Sequence, residues 1–447
     1  MAVPDDTPDS TARTQEAWKV LDLALRIGEV LLSAGAGAAD VAAQMLNVAH
    51  ACGMRNVTAD ITFTQLTMGY QPSPDEPPVS QVRQVRHRET DYEHLTQVDH
   101  LVRALINGDL TPDEARPQLG RIVSTGHSLP RWAVTVGWGV MNAGVALMLD
   151  GTWLSLLIAF LAAVGVDRIQ RLLARRRLPA FYQQVAGGLF ATLLAVGVGA
   201  LGLGIGPGRV ITSSIILLLA GVSFMGAIQD ALTGFPLTAG ARILEAMLAT
   251  AGVIAGVSGG LSVARMGGVD LGRLNPGAAA LGPMPLTVVG GMVTAAAFAF
   301  SSYAPRRSLL PIGVIGGAAT LAYYVVYLNS GGIAWASALA AILVGLVSFS
   351  VAGRFRVPAL VVVVSGVVPL LPGLSIYRGL AQMTTGGSDG LISIVGAAAI
   401  AIALAAGVIL GEYVAQPLKR EARRLESKLA GPRLVGPLRV RSSRARG

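Results

Sequence analysis

The chain has 447 residues, of which 52% are hydrophobic and 14% are charged, and its mean hydropathy is +0.58. Soluble globular proteins carry roughly 25% charged residues, so this composition excludes an ordinary soluble protein. Apolar runs of about 18 residues or more recur along the chain, and that length is enough to cross a bilayer. We therefore expect a polytopic α-helical membrane protein.

The formal net charge of +9 is concentrated in the C-terminal tail. Residues 414–447 carry ten basic and two acidic side chains, a net charge of +8. The tail lacks aromatic residues on which bases would stack, so nucleic acid is not an expected partner. A basic segment directly after a last membrane helix is instead expected to contact anionic lipid.

The first 130 residues predict a small cytoplasmic α+β domain. Residues 1–15 are polar and rich in proline, and they are expected to be disordered. They also lack the pattern of a signal peptide. The domain itself covers residues 16–130, with helices and strands predicted from periodicity and capping signals. These are two helices over 16–52 interrupted at Ser33-Ala34-Gly35, a strand over 56–70, a partner strand over 79–86, a helix over 90–107, and a helix after Thr111.

Ten membrane spans are predicted beyond Pro130, in two units of five at residues 131–262 and 263–413. The predicted spans are 132–149, 152–167, 182–204, 210–229, 240–260, 285–303, 309–328, 333–352, 358–374 and 390–412.

The arginines between the spans predict the orientation. Ten lie on one side and four on the other, and the richer side is cytoplasmic by the positive-inside rule. Because the number of spans is even, both termini are expected in the cytoplasm. The protein is expected in the inner (cytoplasmic) membrane. The ten are Arg168, Arg171, Arg175, Arg176, Arg177, Arg242, Arg306, Arg307, Arg354 and Arg356.

The two units resemble each other in the placement of their polar breaks and glycine-rich spans. Ala220-Gly221-Val222-Ser223 in the fourth span corresponds to Ser365-Gly366-Val367-Val368 in the ninth. An odd number of spans in each unit requires the units to be oppositely oriented. The sequence therefore predicts an inverted repeat, the plan of many secondary transporters.

The segment Val367 to Gly373, with Pro369 and Pro372, is the most informative motif. Two prolines and a glycine remove backbone donors and open a helix at membrane depth, where the freed carbonyls bind protein, water or a solute. A helix that simply stops at the membrane surface is an equally good interpretation. Tyr377 and Arg378 follow, and they could meet a carboxylate.

In the first unit, Asp230 and Gly234 are followed by Arg242 and Glu245. Arg242 and Glu245 are three residues apart on a helix and can form an ion pair, which is the common role of such charges. The alternative is that Asp230 or Glu245 carries a proton, since an acid in a low-dielectric site titrates closer to neutral pH.

Polar residues within the spans are expected to hydrogen-bond between helices or to line a solute path. They are Asn142, Ser213, Ser214, Ser223 and Thr320.

Several chemistries are disfavoured. All five histidines precede residue 130, and His94 and His100 are spaced six apart, off a common helix face, so no metal site is predicted. The single cysteine, Cys52, excludes a disulfide framework. The sequence has no Walker motif, GxSxG or HExxH, which argues against an ATP-driven pump or a protease. No cofactor is expected, and the chain is not expected to be an enzyme.

Four segments resemble the threonine/serine exporter family. They are Ala24-Leu25-Arg26-Ile27-Gly28-Glu29 with Leu32-Ser33-Ala34-Gly35-Ala36, Asp60-Ile61-Thr62-Phe63-Thr64, the stretch from Asp230 to Glu245, and Pro369-Leu370-Leu371-Pro372-Gly373. The resemblance covers nearly the whole chain after residue 16. It implies a soluble domain with five spans followed by a second five-span unit, and export of L-threonine and L-serine powered by the proton motive force.

We therefore expect a secondary transporter that exports small hydroxylated amino acids, with the proton as a second partner in antiport. Helix N-termini at the two breaks and Arg378 would bind the substrate carboxylate, and Asp230 would supply the counter-charge. The rivals are a carrier or channel for another solute, such as a dipeptide or dicarboxylate, and a membrane sensor or scaffold whose soluble domain is the active part. A homo-oligomer is compatible with the sequence.

Overall fold

The structure is a computed structural model that describes residues 8–74, 76–86, 88–201, 207–215, 218, 221–267, 282–330, 332–384 and 389–429. The N-terminal elements are α1 Pro8–Ser33, α2 Ala38–Ala51, β1 Val57–Thr62, β2 Gln65–Tyr70, β3 Val79–Gln84, α3 Tyr92–Asn107 and α4 Pro112–Ser124. Then follow α5 Arg131–Met148, α6 Trp153–Arg175, α7 Ala180–Ala200, α8 Pro207–Ile215, α9 Gly221–Leu232 and α10 Pro236–Met266. The last are α11 Met284–Ser301, α12 Arg306–Ser330, α13 Ile333–Phe355, α14 Ala359–Val367, α15 Gly373–Thr384 and α16 Asp389–Leu429.

The strand predicted over 56–70 is in fact a β-hairpin. β1 and β2 pair antiparallel around a two-residue turn at Phe63-Thr64, with Thr62 opposite Gln65, and β3 then pairs antiparallel with β2. Phe63 has a φ of 55°, in the left-handed region that such residues seldom adopt. Its backbone N–H donates to Thr238 Oγ1 at 2.9 Å, so the turn is held by a contact with α10 that local sequence does not reveal.

The N-terminal helices follow their capping signals. Asp91 caps α3, whose end at Gly108 is left-handed, and Thr111 forms a capping box with Glu114 at the start of α4. The helix α1 begins at Pro8, so residues 8–15 are helical where disorder was expected, and residues 1–7 lie outside the described part. Together α1–α4 and β1–β3 form the N-terminal unit, residues 8–130.

The protein is a multi-pass helical membrane protein. Six described helices are long and apolar enough to span a bilayer, and a pair that bends by 47° between residues 370 and 373 would make a seventh. The six are Ala180–Ala200, Pro236–Met266, Met284–Ser301, Arg306–Asn329, Ile333–Phe355 and Gly390–Ala415. The predicted spans 132–149, 152–167 and 210–229 are not among them.

Several predicted boundaries differ in the structure. The helix α6 continues past the predicted end at 167 to Arg175, which puts Asp167 inside a helix. The described part of the predicted span 210–229 comprises α8 and α9, and residues 216, 217, 219 and 220 between them lie outside the described residues. The helix α16 extends to Leu429, so the first part of the expected tail is helical, while residues 430–447 lie outside the described residues.

Candidate functional site

A cavity of about 750 Å³ lies among the membrane helices. Its wall is mainly apolar with a limited set of polar side chains, the usual composition of a small-molecule site. The elements that contribute to it are α5, α6, α9, α11, α12, α13, α16 and the segment 368–378.

The proline motif forms one wall of this cavity. The helix α14 ends at Val367, a 3₁₀ turn covers Val368–Leu370, and α15 begins at Gly373. Pro369, Pro372 and Gly373 all line the cavity. The motif therefore opens the helix inside the protein, beside a space that a solute can fill, as one of the two sequence interpretations predicted.

Gly221 on α9 packs against the proline motif and also lines the cavity. A Cβ on Gly221 would lie 3.0 Å from Leu371 Cβ and 3.4 Å from the backbone nitrogen of Gly373, so a larger residue would have to displace this segment by a few tenths of an ångström. The start of α15 therefore lies on the cavity wall against α9, and the dipole at its N-terminus favours a negatively charged group there.

The two residues that follow the motif have different environments. Arg378 lines the cavity, and its contact with a substrate carboxylate stays a prediction. Tyr377 is 2% exposed and packs among apolar side chains that include Ile211, Ile215 and Val253. Tyr377 is absent from the cavity wall, so the structure brings only Arg378 to the site.

Aromatic and hydroxyl side chains of α11, α12 and α13 also line the cavity. Tyr323 and Tyr327 stack with their ring centroids 5.9 Å apart and an interplanar angle of 4°. Tyrosine faces attract ammonium groups through the ring quadrupole. The described lining residues of these three helices that carry a polar group are Thr287, Thr294, Thr320, Tyr323, Tyr324, Tyr327 and Ser337.

Asp167 is a lining carboxylate that is absent from the residues predicted for the site, because the predicted span 152–167 ends at it. It lies inside α6, its side chain is 13% exposed, and it pairs with Arg171 four residues later. An acid within an otherwise apolar helical run was the available signal.

Asp230 lies away from this cavity wall, at the contact between α9 and the N-terminal unit. It is 2% exposed, and its Oδ2 atom lies 2.6 Å from Arg242 Nη1. Its Oδ1 atom accepts a hydrogen bond from the backbone N–H of Ala38 at 2.9 Å. Arg242 therefore pairs with Asp230, where the sequence suggested Glu245, and Glu245 is exposed. Gly234 lies in the turn before α10 with a φ of 98°.

Asp40 on α2 faces the same contact. Enclosure by the surrounding protein and, secondly, the negative charge of Asp230 raise the pKa of the Asp40 carboxyl, although part of its side chain reaches solvent. The carboxyl groups of Asp40 and Asp230 therefore lie close together at the contact between α2 and α9, where Arg242 pairs with Asp230.

The remaining candidate residues join helices to each other. Asn142 is fully buried on α5, and its Nδ2 atom lies 3.5 Å from the backbone oxygen of Ser214 on α8. Ser213 and Ser214 are buried beside it, whereas Ser223 is exposed. Asn142 thus forms a hydrogen bond between α5 and α8, the role predicted for polar residues within the spans.

The sequence matches known families along most of its length. Residues 22–264 match a family model described as "Putative threonine/serine exporter", and residues 287–414 match one described as "Threonine/Serine exporter, ThrE". The chain is similar to a "Threonine/serine exporter" of Corynebacterium glutamicum, with 36% identity over 94% of this chain and 88% of that protein. It is also similar to a "Probable threonine/serine exporter" of Mycobacterium tuberculosis, with 35% identity over 93% of this chain and 80% of that protein. No solved structure gives a significant match.

Proposed function

The chain belongs to the threonine/serine exporter family, a family of transporters and not of enzymes, and from this we propose that it exports L-threonine and L-serine across the inner membrane by proton antiport. The observation that carries the proposal is the cavity that the N-terminal turn of α15 and Arg378 line together. Transporters of zwitterions need donors for a carboxylate and an acceptor for an ammonium group, placed near the middle of the membrane.

The carboxylate end of the substrate would bind at the start of α15. The N-terminal turn of α15 contributes its helix dipole, and Arg378 supplies a guanidinium to the same cavity. Among the described lining residues Arg378 is the one cationic side chain. A single guanidinium suits one carboxylate better than two, which favours an amino acid over a dicarboxylate.

The ammonium end would bind a carboxylate or an aromatic ring. Asp167, Tyr323 and Tyr327 line the cavity, and each is a suitable partner for a cation. We assign this role to Asp167 in place of Asp230, because Asp167 lines the cavity, with Arg171 as its ion-pair partner, whereas Asp230 lies away from the cavity. The threonine hydroxyls of the wall could bind the substrate hydroxyl.

Asp230 remains our candidate for the coupling group. The helix α9 starts at Gly221 in the cavity wall, and Asp230 lies nine residues later, about 14 Å along the helix. Protonation of Asp230 would remove the charge that holds Arg242 and would loosen the attachment of α9 to α10 and α2. One rigid helix would in this way connect the proton to the substrate.

The proposed arrangement in the membrane keeps the predicted ten spans in two inverted units, with both termini in the cytoplasm. The similar placement of polar breaks and glycine-rich spans in the two units supports it.

The experiment that tests the function is uptake of labelled threonine into inside-out vesicles, with and without a pH gradient. We expect accumulation that depends on the gradient, with unlabelled serine competing and with succinate and a dialanine peptide failing to compete. Competition by succinate or by the dipeptide, with no competition by serine, would show that the substrate is a different solute. Full transport without a gradient would refute proton coupling while leaving the substrate assignment intact.

A further inference from the structure

Three side chains that the proposed transport cycle does not use converge at the start of α3. Asp91 Oδ2 lies 2.7 Å from His94 Nδ1 and 2.7 Å from His127 Nε2. The three ligand atoms all lie within 4.8 Å of one another. One carboxylate oxygen and two imidazole nitrogens are a usual ligand set for Zn²⁺, which leaves a fourth position for water.

The residues around this cluster fix its geometry. Asp91 Oδ1 accepts hydrogen bonds from the backbone N–H groups of Glu93 and His94, both at 3.1 Å, so Oδ2 is held toward the two histidines. The His94 imidazole also lies within reach of the backbone of Thr125. A backbone contact of this kind can orient the ring of a metal-bound histidine.

His127 is positioned by packing. Its ring stacks on that of Tyr303 with centroids 3.9 Å apart and an interplanar angle of 24°. The Tyr303 hydroxyl in turn accepts a hydrogen bond of 2.6 Å from Arg131 Nη1. The second histidine is thus held by the turn after α11, on the far side of the cluster from α3.

An ion can reach the cluster. The side chains of Asp91, His94 and His127 are 13%, 21% and 30% exposed, so the group is sheltered but open on one side. A second cavity of about 280 Å³, lined in part by Glu93, Ser128 and Tyr303, lies next to it.

We propose that Asp91, His94 and His127 bind a divalent transition-metal ion, Zn²⁺ in the first instance, through Asp91 Oδ2, His94 Nδ1 and His127 Nε2. Ligand atoms around tetrahedral Zn²⁺ lie roughly 3.3 Å apart, so each contact of 2.7 Å opens by about 0.6 Å when the ion enters. The ion replaces two hydrogen bonds with three coordinate bonds.

The location gives the ion a structural effect. Tyr92, next to Asp91, donates its backbone N–H to the Ser302 oxygen at 2.8 Å, and its ring packs edge-on against Phe298 in the cavity wall. A bound ion would cross-link the start of α3 to the segment before α5, both within the N-terminal unit. It would thereby stabilise the part of that unit that contacts Ser302 and Phe298 beside the transport cavity.

The test uses full-length protein, purified in detergent through a tag that contains no histidine. Zn²⁺ is titrated in competition with a chromophoric chelator, and retained zinc is measured by mass spectrometry after desalting. We expect about one Zn²⁺ per chain, with affinity lowered at least ~10-fold in His94→Gln and in His127→Gln. The matched control is His50→Gln, an exposed histidine at the end of α2, which should bind zinc as the parent does.

Two further readouts separate coordination from a hydrogen-bond network. Co²⁺ in place of Zn²⁺ should give the visible absorption of a four-coordinate N/O site in the parent and not in His127→Gln. Asp91→Asn keeps the helix cap, since asparagine caps as well as aspartate does, yet it should weaken zinc binding. Sub-stoichiometric zinc in the parent, or equal zinc in the parent and in the His94→Gln His127→Gln double variant, would overturn the proposal.

Discussion

The carboxylate of Asp230 on α9 accepts a hydrogen bond of 2.9 Å from the backbone N–H of Ala38, the first residue of α2. The two residues are 192 positions apart in the chain. The N–H groups of the first helical turn have no partner within the helix, so this side chain from a membrane helix satisfies one of them. Together with the Arg242 pair, the contact joins the N-terminal unit to the first membrane unit.

The first prediction concerns coupling. Asp230→Asn retains a group of the same size that can accept from Ala38, but it can neither lose a proton nor pair with Arg242 as a charge. We expect loss of export driven by a pH gradient, with threonine exchange across the vesicle membrane retained. Glu245→Gln is the matched control, because Glu245 is exposed and should behave as the parent. Gradient-driven export at the parental rate in Asp230→Asn would exclude Asp230 as the proton carrier.

The second prediction concerns stability. Arg242→Met leaves the buried Asp230 carboxylate without its cationic partner, and breaking one side of a buried pair costs about 3–5 kcal/mol. We expect a clear fall in the thermal unfolding midpoint of the protein in detergent. The double variant Arg242→Met Asp230→Leu should recover part of the loss, because it removes the unpaired charge as well. An unchanged midpoint in Arg242→Met would show that the pair contributes nothing to stability.

The third prediction compares two neighbours. Arg378→Gln removes the guanidinium from the cavity wall and should lower threonine transport at least ~10-fold, since a charge-assisted contact is worth roughly 1.5–3 kcal/mol. Tyr377→Phe alters the adjacent residue, which packs among apolar side chains, and transport should stay near the parental rate. Initial rates over a range of threonine concentrations measure both. The reverse order of effects would place Tyr377 at the substrate and Arg378 elsewhere.

The fourth prediction concerns the proline motif. Pro369→Ala with Pro372→Ala restores two backbone donors and favours a continuous helix through the cavity wall. We expect the protein to remain folded in the membrane, as judged by size-exclusion chromatography, and export to be abolished. Pro358→Ala, at the residue before α14, serves as the control for loss of a proline as such. Parental export in the double variant would mean that the break is only a helix terminus.

The fifth prediction concerns orientation. The variant is Arg176→Cys in a Cys52→Ser background. Residue 176 lies between α6 and α7, and it is one of five neighbouring arginines among the ten assigned to the cytoplasm. It should react with a membrane-impermeant maleimide in inside-out vesicles and not in intact cells. Labelling in intact cells would invert the topology of the whole chain.

Local signals were sufficient where one segment determines its own structure. The caps at Thr111 and Gly108 and the break around Pro369 follow from residue types whose backbone preferences do not depend on distant contacts. The third strand and its antiparallel pairing with the preceding one are likewise confirmed.

Features that depend on contacts between residues distant in the chain could not be predicted from the sequence. The turn at Phe63 has no glycine or asparagine and is held by Thr238, 175 residues away. Arg242 on α10 pairs with Asp230 on α9, although Glu245 lies nearer in the sequence and on the same helix as Arg242. The spacing along one helix relates His94 only to His100, whereas in the structure His94 lies beside His127.

The contacts of the N-terminal unit also determine when the chain can finish folding during its own synthesis. Its first membrane partners, Asp230 and Thr238, emerge well before the last, because His100 contacts the backbone oxygen of Arg356, 256 residues later. At roughly 5–20 residues per second, a ribosome needs about 10–50 s to make that interval. For most of that time the surface around Tyr92 has no Ser302 or Phe298 to cover it. The growing chain therefore passes through a stage in which the N-terminal unit has its first attachments but not its last, and this exposed stage is when chaperones or proteases would have access to it.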